Sequence, residues 1–381
     1  EINEGDWSSD VCSSDLRMAA TDERMTGRTA VPRRRTNPIV KTVRNYLGPI
    51  LILLILFIIL SSNSPNFLTL GNITNILQQV SVYGLLSIGL TYIILIGNVD
   101  LSIGSTVAFS GCLSVTLLSV LNLNLYLAII LTLLACMLIG LFNGSCLAYT
   151  KLPPFIVTLA TQMIVRGLAY IITDGYPVAS TSKAFNEIGS GRWTISVHDG
   201  LKVQIPYSVA FLFLAFLVFG VILSKTRFGR YIYAVGGNQE AAIHSGINVK
   251  KVRIIVYVIA GALAGCGGII LAARMGSGQP ANVGIGYEGE AIAASVLGGV
   301  SFGGGIGTIG CTIIGTLIMG VINNGLNMLR FEYFYQLIVK GAIILFSVYF
   351  DSVKDQLPEW RAKIFGRNNE KIGRAACRGR V

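Results

Sequence analysis

Residues 225–253 read KTRFGRYIYAVGGNQEAAIHSGINVKKVR. Six of these residues are Lys or Arg, and only Glu240 is acidic. Two apolar segments, Ile205–Ser224 and Ile254–Met275, flank the stretch. Each is close to the about 20 residues that a helix needs to cross about 30 Å of hydrocarbon. A polar, basic stretch between such segments is a loop outside the bilayer, and basic loops stay on the cytoplasmic side. Within it, Glu240-Ala241-Ala242 is a short helical block, and Gly246 ends it as a C-cap that sets how the block is presented.

The rest of the chain repeats the apolar theme. Of its 381 residues, 52% are hydrophobic and 13% charged, and the mean hydropathy is +0.65, which sets it apart from soluble domains. Apolar segments recur at Leu47–Leu60, Ile76–Ile96, Leu101–Val120, Leu125–Tyr149 and Pro154–Thr173 before the flanking pair. After it come Glu290–Val300, Ile306–Leu329 and Phe334–Phe350, which makes ten in all. Leu47–Leu60 and Glu290–Val300 are short, as tilted, partly buried or re-entrant segments are.

Charge placement sets the topology. Residues 17–44 hold eight Arg or Lys, the 225–253 loop six, and the residues after 353 another eight, against five in 45–224 and three in 254–353. Basic flanks on one side require both termini and the loop to be cytoplasmic. That places six crossings before the loop and four after it, the same numbers that hydropathy gives. The expectation is an all-α, multi-pass membrane protein of about ten transmembrane helices. A nucleic-acid role for the basic balance is excluded because the basic clusters all flank spans.

The chain divides accordingly. Residues 1–17 and 371–381 resemble translated sequencing-adapter DNA and are set aside. Residues 18–46 are a basic cytoplasmic N-terminus, 47–350 a transmembrane domain with the 225–253 loop inside it, and 351–370 a cytoplasmic C-terminus. The long polar segment Asp174–Gln204, with Lys183, Glu187, Arg192, Trp193, His198 and Asp199, faces outward, as a solvated loop or as a landing surface for another protein. Seven Cys form no disulfide framework: Cys12 and Cys377 lie in the set-aside ends, and the others in spans, where small Cys packs as an apolar residue.

Polar groups inside the apolar segments mark a candidate pathway for a solute. GNVDLSIGS (97–105), with Asn98, Asp100 and Ser102, is echoed faintly by GGVSFGGGIG (298–307). Glycine-interrupted helices with an intramembrane acid often line substrate paths, although glycine also serves close helix packing. Gln78 and Gln79 begin the second segment, and Thr161, Gln162 and Arg166 lie in the fifth. Asn323, Asn324 and Asn327 fall on the ninth, where Asn323 and Asn327 share a face, and Gln336 and Lys340 share one on the tenth. Amides and hydroxyls donate and accept without fixed charge and so suit a polyhydroxylated solute, while singly each also serves as glue between helices. Enzyme motifs are lacking: Ser224 stands where a phosphate loop needs its second glycine, and two His do not make a histidine metal site.

Five blocks carry a family resemblance: SPNFLTLGNITNILQQVSV (64–82), GNVDLSIGS (97–105), RFGRYIYAVGGNQEAAIHSGINVKKVRIIVY (227–257), AARMGSGQPANVGIGYEGEAIAASVLGG (272–299) and INNGLNML…YQLIVKGAIIL (322–345). Together they resemble the membrane permeases of bacterial ribose-type ABC importers over about residues 40–350. The resemblance implies an ABC importer permease fold in the bacterial cytoplasmic membrane that translocates a monosaccharide, ribose or a related pentose, by alternating access. It implies a second copy of the chain, a cytoplasmic ATPase with two fused nucleotide-binding halves that holds the ATP and Mg, and an extracytoplasmic sugar-binding protein docking on 174–204 and Gly276–Tyr287. The permease itself then has no catalytic residue, cofactor or metal. The coupling residues are Gly229, Arg230, Asn238, Glu240, Ala241, Ala242, Gly246 and Ile247. The chain departs from the family pattern at Asn98-Val99, at Ile306 and at the position of Glu290. The competing reading is an ion-coupled secondary transporter of a small polar solute with Asp100 or Glu290 as its ion site; a membrane scaffold is a distant third.

The topology is testable by labelling. In a background with the native cysteines replaced, Cys at Ser190 should react with an impermeant thiol reagent added to intact cells, and Cys at Ser245 only after permeabilisation. The opposite pattern would invert the charge argument.

Overall fold

The computed structural model describes residues 38–196 and 202–354. Two units are distinguished, Glu1–Arg44 and Asn45–Val381. Of the first, only the start of helix α1 (Pro38–Asn63) is described; all the other elements belong to the second. The expected boundaries at 1–17 and 371–381 lie outside the described residues. So do most of 18–46 and 351–370.

Helices make up nearly all of the architecture. After α1 come α2 (Leu70–Leu95), α3 (Ile103–Ser119), α4 (Leu125–Tyr149) and α5 (Pro154–Ile172). The segment expected as a polar loop carries structure: β1 (Val178–Ala179), α6 (Lys183–Ser190) and a hairpin of β2 (Arg192–Ser196) with β3 (Lys202–Pro206). His198 and Asp199 lie outside the described residues. Next in the chain are α7 (Tyr207–Lys225), α8 (Arg227–Gly237), α9 (Gln239–His244), α10 (Val249–Met275), β4 (Ser277–Gly278), α11 (Tyr287–Gly298), α12 (Ile309–Met328) and α13 (Tyr333–Lys354). Strand β4 pairs antiparallel with β1, which ties the segment after α10 to the 174–204 region.

Every one of the ten apolar segments falls on a helix, but the helices are not equivalent. Seven described helices are long and apolar enough to cross a membrane: the Tyr46–Asn63 part of α1, then α2, α4, α5, α7, α10 and α12. Two more apolar helices, Ile103–Ser119 and the Tyr333–Tyr349 part of α13, are shorter. Helix α11 has 12 residues, about 18 Å at 1.5 Å per residue, well short of the hydrocarbon thickness. It ends at Gly299, whose φ is +109°. The chain is a multi-pass membrane protein.

Helix α2 is the hub. Of its apolar window 83% is buried, against 6% for Tyr46–Asn63 at the periphery. It packs on α7, α10, α11 and α12. Because the hydrophobic effect does not favour helix association inside lipid, close packing and polar contacts must supply it. Both are present. Helix α10 lies against α4 so closely that a Cβ at Gly261 would meet the carbonyl of Cys136, and one at Gly140 the carbonyl of Tyr257. Cys136-xxx-Gly140-xxx-Gly144 and Gly261-xxx-Gly265 are therefore facing small-residue ridges. Hydroxyls join α2, α11 and α12, with Thr91 Oγ1 3.1 Å from Ser295 Oγ and 2.7 Å from Thr312 Oγ1.

A larger side chain at the α4–α10 contact has nowhere to go. Gly261→Leu should lower stability by about 1–3 kcal/mol or more, read as a drop in the thermal midpoint of the detergent-solubilised protein. Gly167→Leu, where nothing lies within 4 Å of the added Cβ, should leave the midpoint unchanged.

Candidate functional site

A polar cavity of about 240 Å³ opens between α2, α10, α11, α12 and α13. Its lining includes Gln79, Tyr83, Arg274, Tyr287, Asn323, Asn327 and Lys340. Helical spacing explains why these meet: Gln79 and Tyr83 are one turn apart on α2, as are Asn323 and Asn327 on α12. The Tyr83 and Tyr287 rings lie 4.9 Å apart, so one wall of the cavity is aromatic.

One ion pair stands at its edge. Lys340 Nζ on α13 donates to Glu290 Oε1 on α11 at 2.6 Å. Asn323 Nδ2 donates to the other carboxylate oxygen at 2.8 Å, while the buried Asn323 Oδ1 has no partner. Glu290 is 6% exposed, and a buried carboxylate in a bundle needs this neutralisation. A turn earlier on α13, Gln336 Nε2 donates to Asn327 Oδ1 at 3.0 Å. Gln336 and Lys340, placed on one face by their spacing, thus both face residues of the cavity wall.

The other expected pathway residues are placed elsewhere. Gln78 Nε2 donates to the Gly189 carbonyl at 2.8 Å and is buried against α6. Asn324 exchanges two amide hydrogen bonds with Asn72, at 2.8 and 3.0 Å, which joins α12 to α2. Arg166 donates from Nη1 to the carbonyls of Pro280 and Val283 at 2.8 and 2.7 Å, bracing the segment before α11. Gln162 lies 3.4 Å from Glu288 Oε1, at the start of α11.

Asp100 closes a turn. Its Oδ1 accepts from the Ser102 amide at 2.8 Å and from the Ser102 hydroxyl at 2.6 Å, just ahead of α3. Asn143 Nδ2 donates to that hydroxyl at 2.9 Å, and Thr161 Oγ1 donates to Asn143 Oδ1 at 2.6 Å. This buried string crosses from the 97–102 segment through α4 to α5. Among the described residues, no ion pair engages Asp100. Asn98 is buried nearby, and among the described residues its side-chain Nδ2 has no hydrogen-bond partner. The two glycine-rich segments that echo one another are neighbours: a Cβ at Gly304 would lie 3.0 Å from Gly97 N, and Gly305 N donates to the carbonyl of Leu95, at the end of α2, at 2.9 Å.

The 225–253 loop folds as its sequence indicates. Asn238 caps α9 by accepting from the Ala241 amide at 3.0 Å. Gly246, at φ +77°, ends it with paired bonds, Gly246 N to the Ile243 carbonyl at 2.9 Å and Ile247 N to the Ala242 carbonyl at 3.1 Å. These two bonds make a Schellman cap, with glycine in the left-handed conformation one residue past the helix. Arg253 holds the block from beneath, donating to the Leu147 carbonyl at 2.6 Å and to Gln239 Oε1 at 3.1 Å. Glu240, Ala241 and Arg230 are exposed, while Ala242 and Gly229 are buried. A side chain at Gly229 would meet the Leu223 carbonyl, so α8 turns tightly off α7. Tyr233 Oη donates to the Gly307 carbonyl at 2.7 Å, linking α8 to the 299–307 segment.

Sequence reading missed Tyr83, Arg274 and Tyr287 in the cavity and Ile243 on the exposed block, where it is 52% exposed. The signals were weak. Tyr83 lies four residues after Gln79, and Arg274 is the only basic residue of Ile254–Met275. An aromatic or an isoleucine in an apolar chain carries no mark of its own.

Removing one member of the ion pair isolates the other. Lys340→Met should destabilise the protein by on the order of 3 kcal/mol, and adding Glu290→Gln should recover most of it. Thermal midpoints of the two variants check this; an additive double variant would show that the pair is uncoupled.

A family model described as the permease component of the branched-chain amino acid transport system matches residues 72–348. The chain is 44% identical over 314 residues to a ribose import permease of Bacillus subtilis, covering 82% of this chain and 94% of the relative. It is 42% identical over 306 residues to the ribose import permease of Escherichia coli K12, covering 79% and 92%. The L-arabinose transport system permease of that organism is 40% identical over 311 residues, covering 81% and 91%. No solved structure matches the chain. The chain therefore belongs to this family of transport-system permease components and is similar across most of its length to bacterial ribose and arabinose permeases.

Proposed function

We propose that this chain is the membrane permease of an ABC importer that moves a pentose, ribose first among candidates, into the cytoplasm by alternating access. The reading rests above all on the 37–44% identity to ribose and L-arabinose permeases that share nearly their full length with this chain. The family description names branched-chain amino acids, but the cavity chemistry favours a sugar. An amino acid brings an ammonium and a carboxylate in fixed relation. The cavity offers the cation of Arg274 but, among the described residues, no free acid for an ammonium, because Glu290 at its edge is already held by Lys340 and Asn323; the rest of its polar lining is amides and phenols with an aromatic wall. Such groups donate to and accept from hydroxyls in many arrangements, and aromatic faces suit the C–H faces of a sugar ring.

The energy source in this proposal is a cytoplasmic ATPase with two fused nucleotide-binding halves, docked on the α9 block. That block is short, exposed and rigid: Asn238 caps its start, the Gly246 turn its end, and Arg253 fixes it to α4. Ile243 supplies an apolar contact and Glu240 a charge beside it. Helix α8 carries a push from there, through Tyr233, to the 299–307 segment, which in turn touches the end of α2. Thrust on α9 thereby reaches both glycine-rich segments. An extracytoplasmic sugar-binding protein and a second copy of the chain complete the assembly in the bacterial cytoplasmic membrane, and the pathway residues become Gln79, Asn323, Asn327 and Gln336, with Asn98 and Asp100 at the glycine-rich segment.

Two measurements test the reading. Uptake of labelled ribose, L-arabinose, xylose and leucine should be greatest for a pentose and should stop on ATP depletion. Uptake that survives ATP depletion but stops when the proton gradient is collapsed would overturn it, as would leucine transport. Glu240→Lys with Gly246→Pro should insert normally yet lose roughly 30-fold or more in ATPase affinity, about 2 kcal/mol. Proline at φ +77° is incompatible with its ring, so the block loses its shape. Normal co-purification with the ATPase would remove the docking assignment.

A further inference from the structure

A second cavity, of about 350 Å³, lies apart from the polar one, between α4, α6, α7 and α10. Ile129, Leu133, Phe211, Ile269 and Ile270 make its walls apolar. One polar atom breaks the pattern. Ser208, 1% exposed, lines the cavity, and among the described residues its Oγ has no hydrogen-bond partner. A buried hydroxyl without a partner is costly and needs an explanation.

The surroundings indicate what completes it. The cavity opens among membrane-spanning helices whose neighbouring side chains, Ile130, Leu134 and Leu214, are half exposed and apolar, as surfaces in contact with lipid tails are. At the start of α7, Tyr207 lines the cavity and packs on Trp193 with ring centroids 4.6 Å apart. Tyr and Trp at the end of a span mark the headgroup level of the bilayer. The hairpin register places Arg192 opposite Pro206, next to Tyr207, and its Nη1 donates to Gln204 Oε1 at 3.0 Å on the same hairpin, so a cation stands near the start of α7. Along the hairpin and into α7 the order is cation (Arg192), amphipathic aromatics (Trp193, Tyr207), hydroxyl (Ser208) and apolar wall (Phe211). A phospholipid presents the matching order of phosphate, glycerol, ester carbonyl and acyl chain.

We propose that this cavity is a built phospholipid site. One acyl chain fills the space between Leu133, Phe211 and Ile270, the Ser208 hydroxyl donates to the ester carbonyl, and Arg192 faces the phosphate. The site is separate from the pathway, and the proposal does not depend on which solute the protein carries. Bound lipid would wedge α6 and α7 against α10, the helix that also lines the polar cavity, and so brace the bundle.

The experiment uses the full chain in vesicles of phosphatidylethanolamine and phosphatidylglycerol doped with phosphatidylethanolamine carrying a diazirine midway along one acyl chain. After irradiation, adducts should map to peptides holding Leu133, Phe211 and Ile270 as well as to Phe213 and Leu217, which are 69% and 54% exposed on α7. Cys266→Trp, filling the cavity, should cut the first set about tenfold and leave the second unchanged. Ser208→Ala, a milder change that keeps the fold, should weaken lipid retention through detergent extraction about threefold by native mass spectrometry. Adducts confined to Phe213 and Leu217 in the unaltered protein would overturn the site. So would cavity labelling that Cys266→Trp does not reduce. Displacement of the label by free oleate but not by unlabelled phosphatidylethanolamine would overturn the phospholipid assignment in favour of a single-chain amphiphile.

Discussion

Hydrocarbon offers no hydrogen bonds, and that one constraint organises the whole structure. A helix satisfies its own backbone, so wherever this chain leaves helical geometry inside the bundle, other protein groups must take over. The 97–102 segment is met by Asp100 and Ser102, backed by Asn143 and Thr161. The segment before α11 is met by the guanidinium of Arg166. The 299–307 segment is met by the Leu95 carbonyl and the Tyr233 hydroxyl. Each irregular stretch is thus covered by residues that look, in isolation, like odd polar insertions in apolar spans.

The same constraint separates polar groups committed to the protein from those that line a cavity. Gln78, Asn324 and Arg166 spend their capacity on the protein itself. Gln79, Tyr83, Asn323 and Asn327 turn toward a cavity, and Asn323 Oδ1 has no protein partner at all. The Glu290–Lys340 pair occupies the boundary between these sets. It neutralises an acid that the bundle could not otherwise hold, and it links the short helix α11 to α13.

The short α9 block is held in shape at three points. A helix of six residues is unstable alone. Here it is held by an Asn cap, a Schellman turn and the Arg253 bridge, so force applied to it is transmitted instead of absorbed. Its onward contact, Tyr233 to the 299–307 segment, ends on backbone in glycine-rich conformations, where rearrangement costs least.

Much of this was legible in the sequence because the responsible physics is local. Apolar runs long enough to cross a bilayer, basic residues at their flanks, and Asn238 and Gly246 around a short helix each act within a few residues. From these the helical class, the expectation of a membrane protein and the shape of the 238–247 block are all read directly. The tertiary structure decided what depends on neighbours distant in the chain. Glu290–Lys340 spans 50 residues and Asn72–Asn324 spans 252, so no spacing rule connects them. Asp100 resembles an ion site until its carboxylate is seen closing its own turn. Tyr83 and Tyr287 resemble ordinary span residues until their rings meet. The sequence supplies polar atoms at intramembrane depth, where each must find a partner; packing alone decides which are bonded within the protein and which line a cavity.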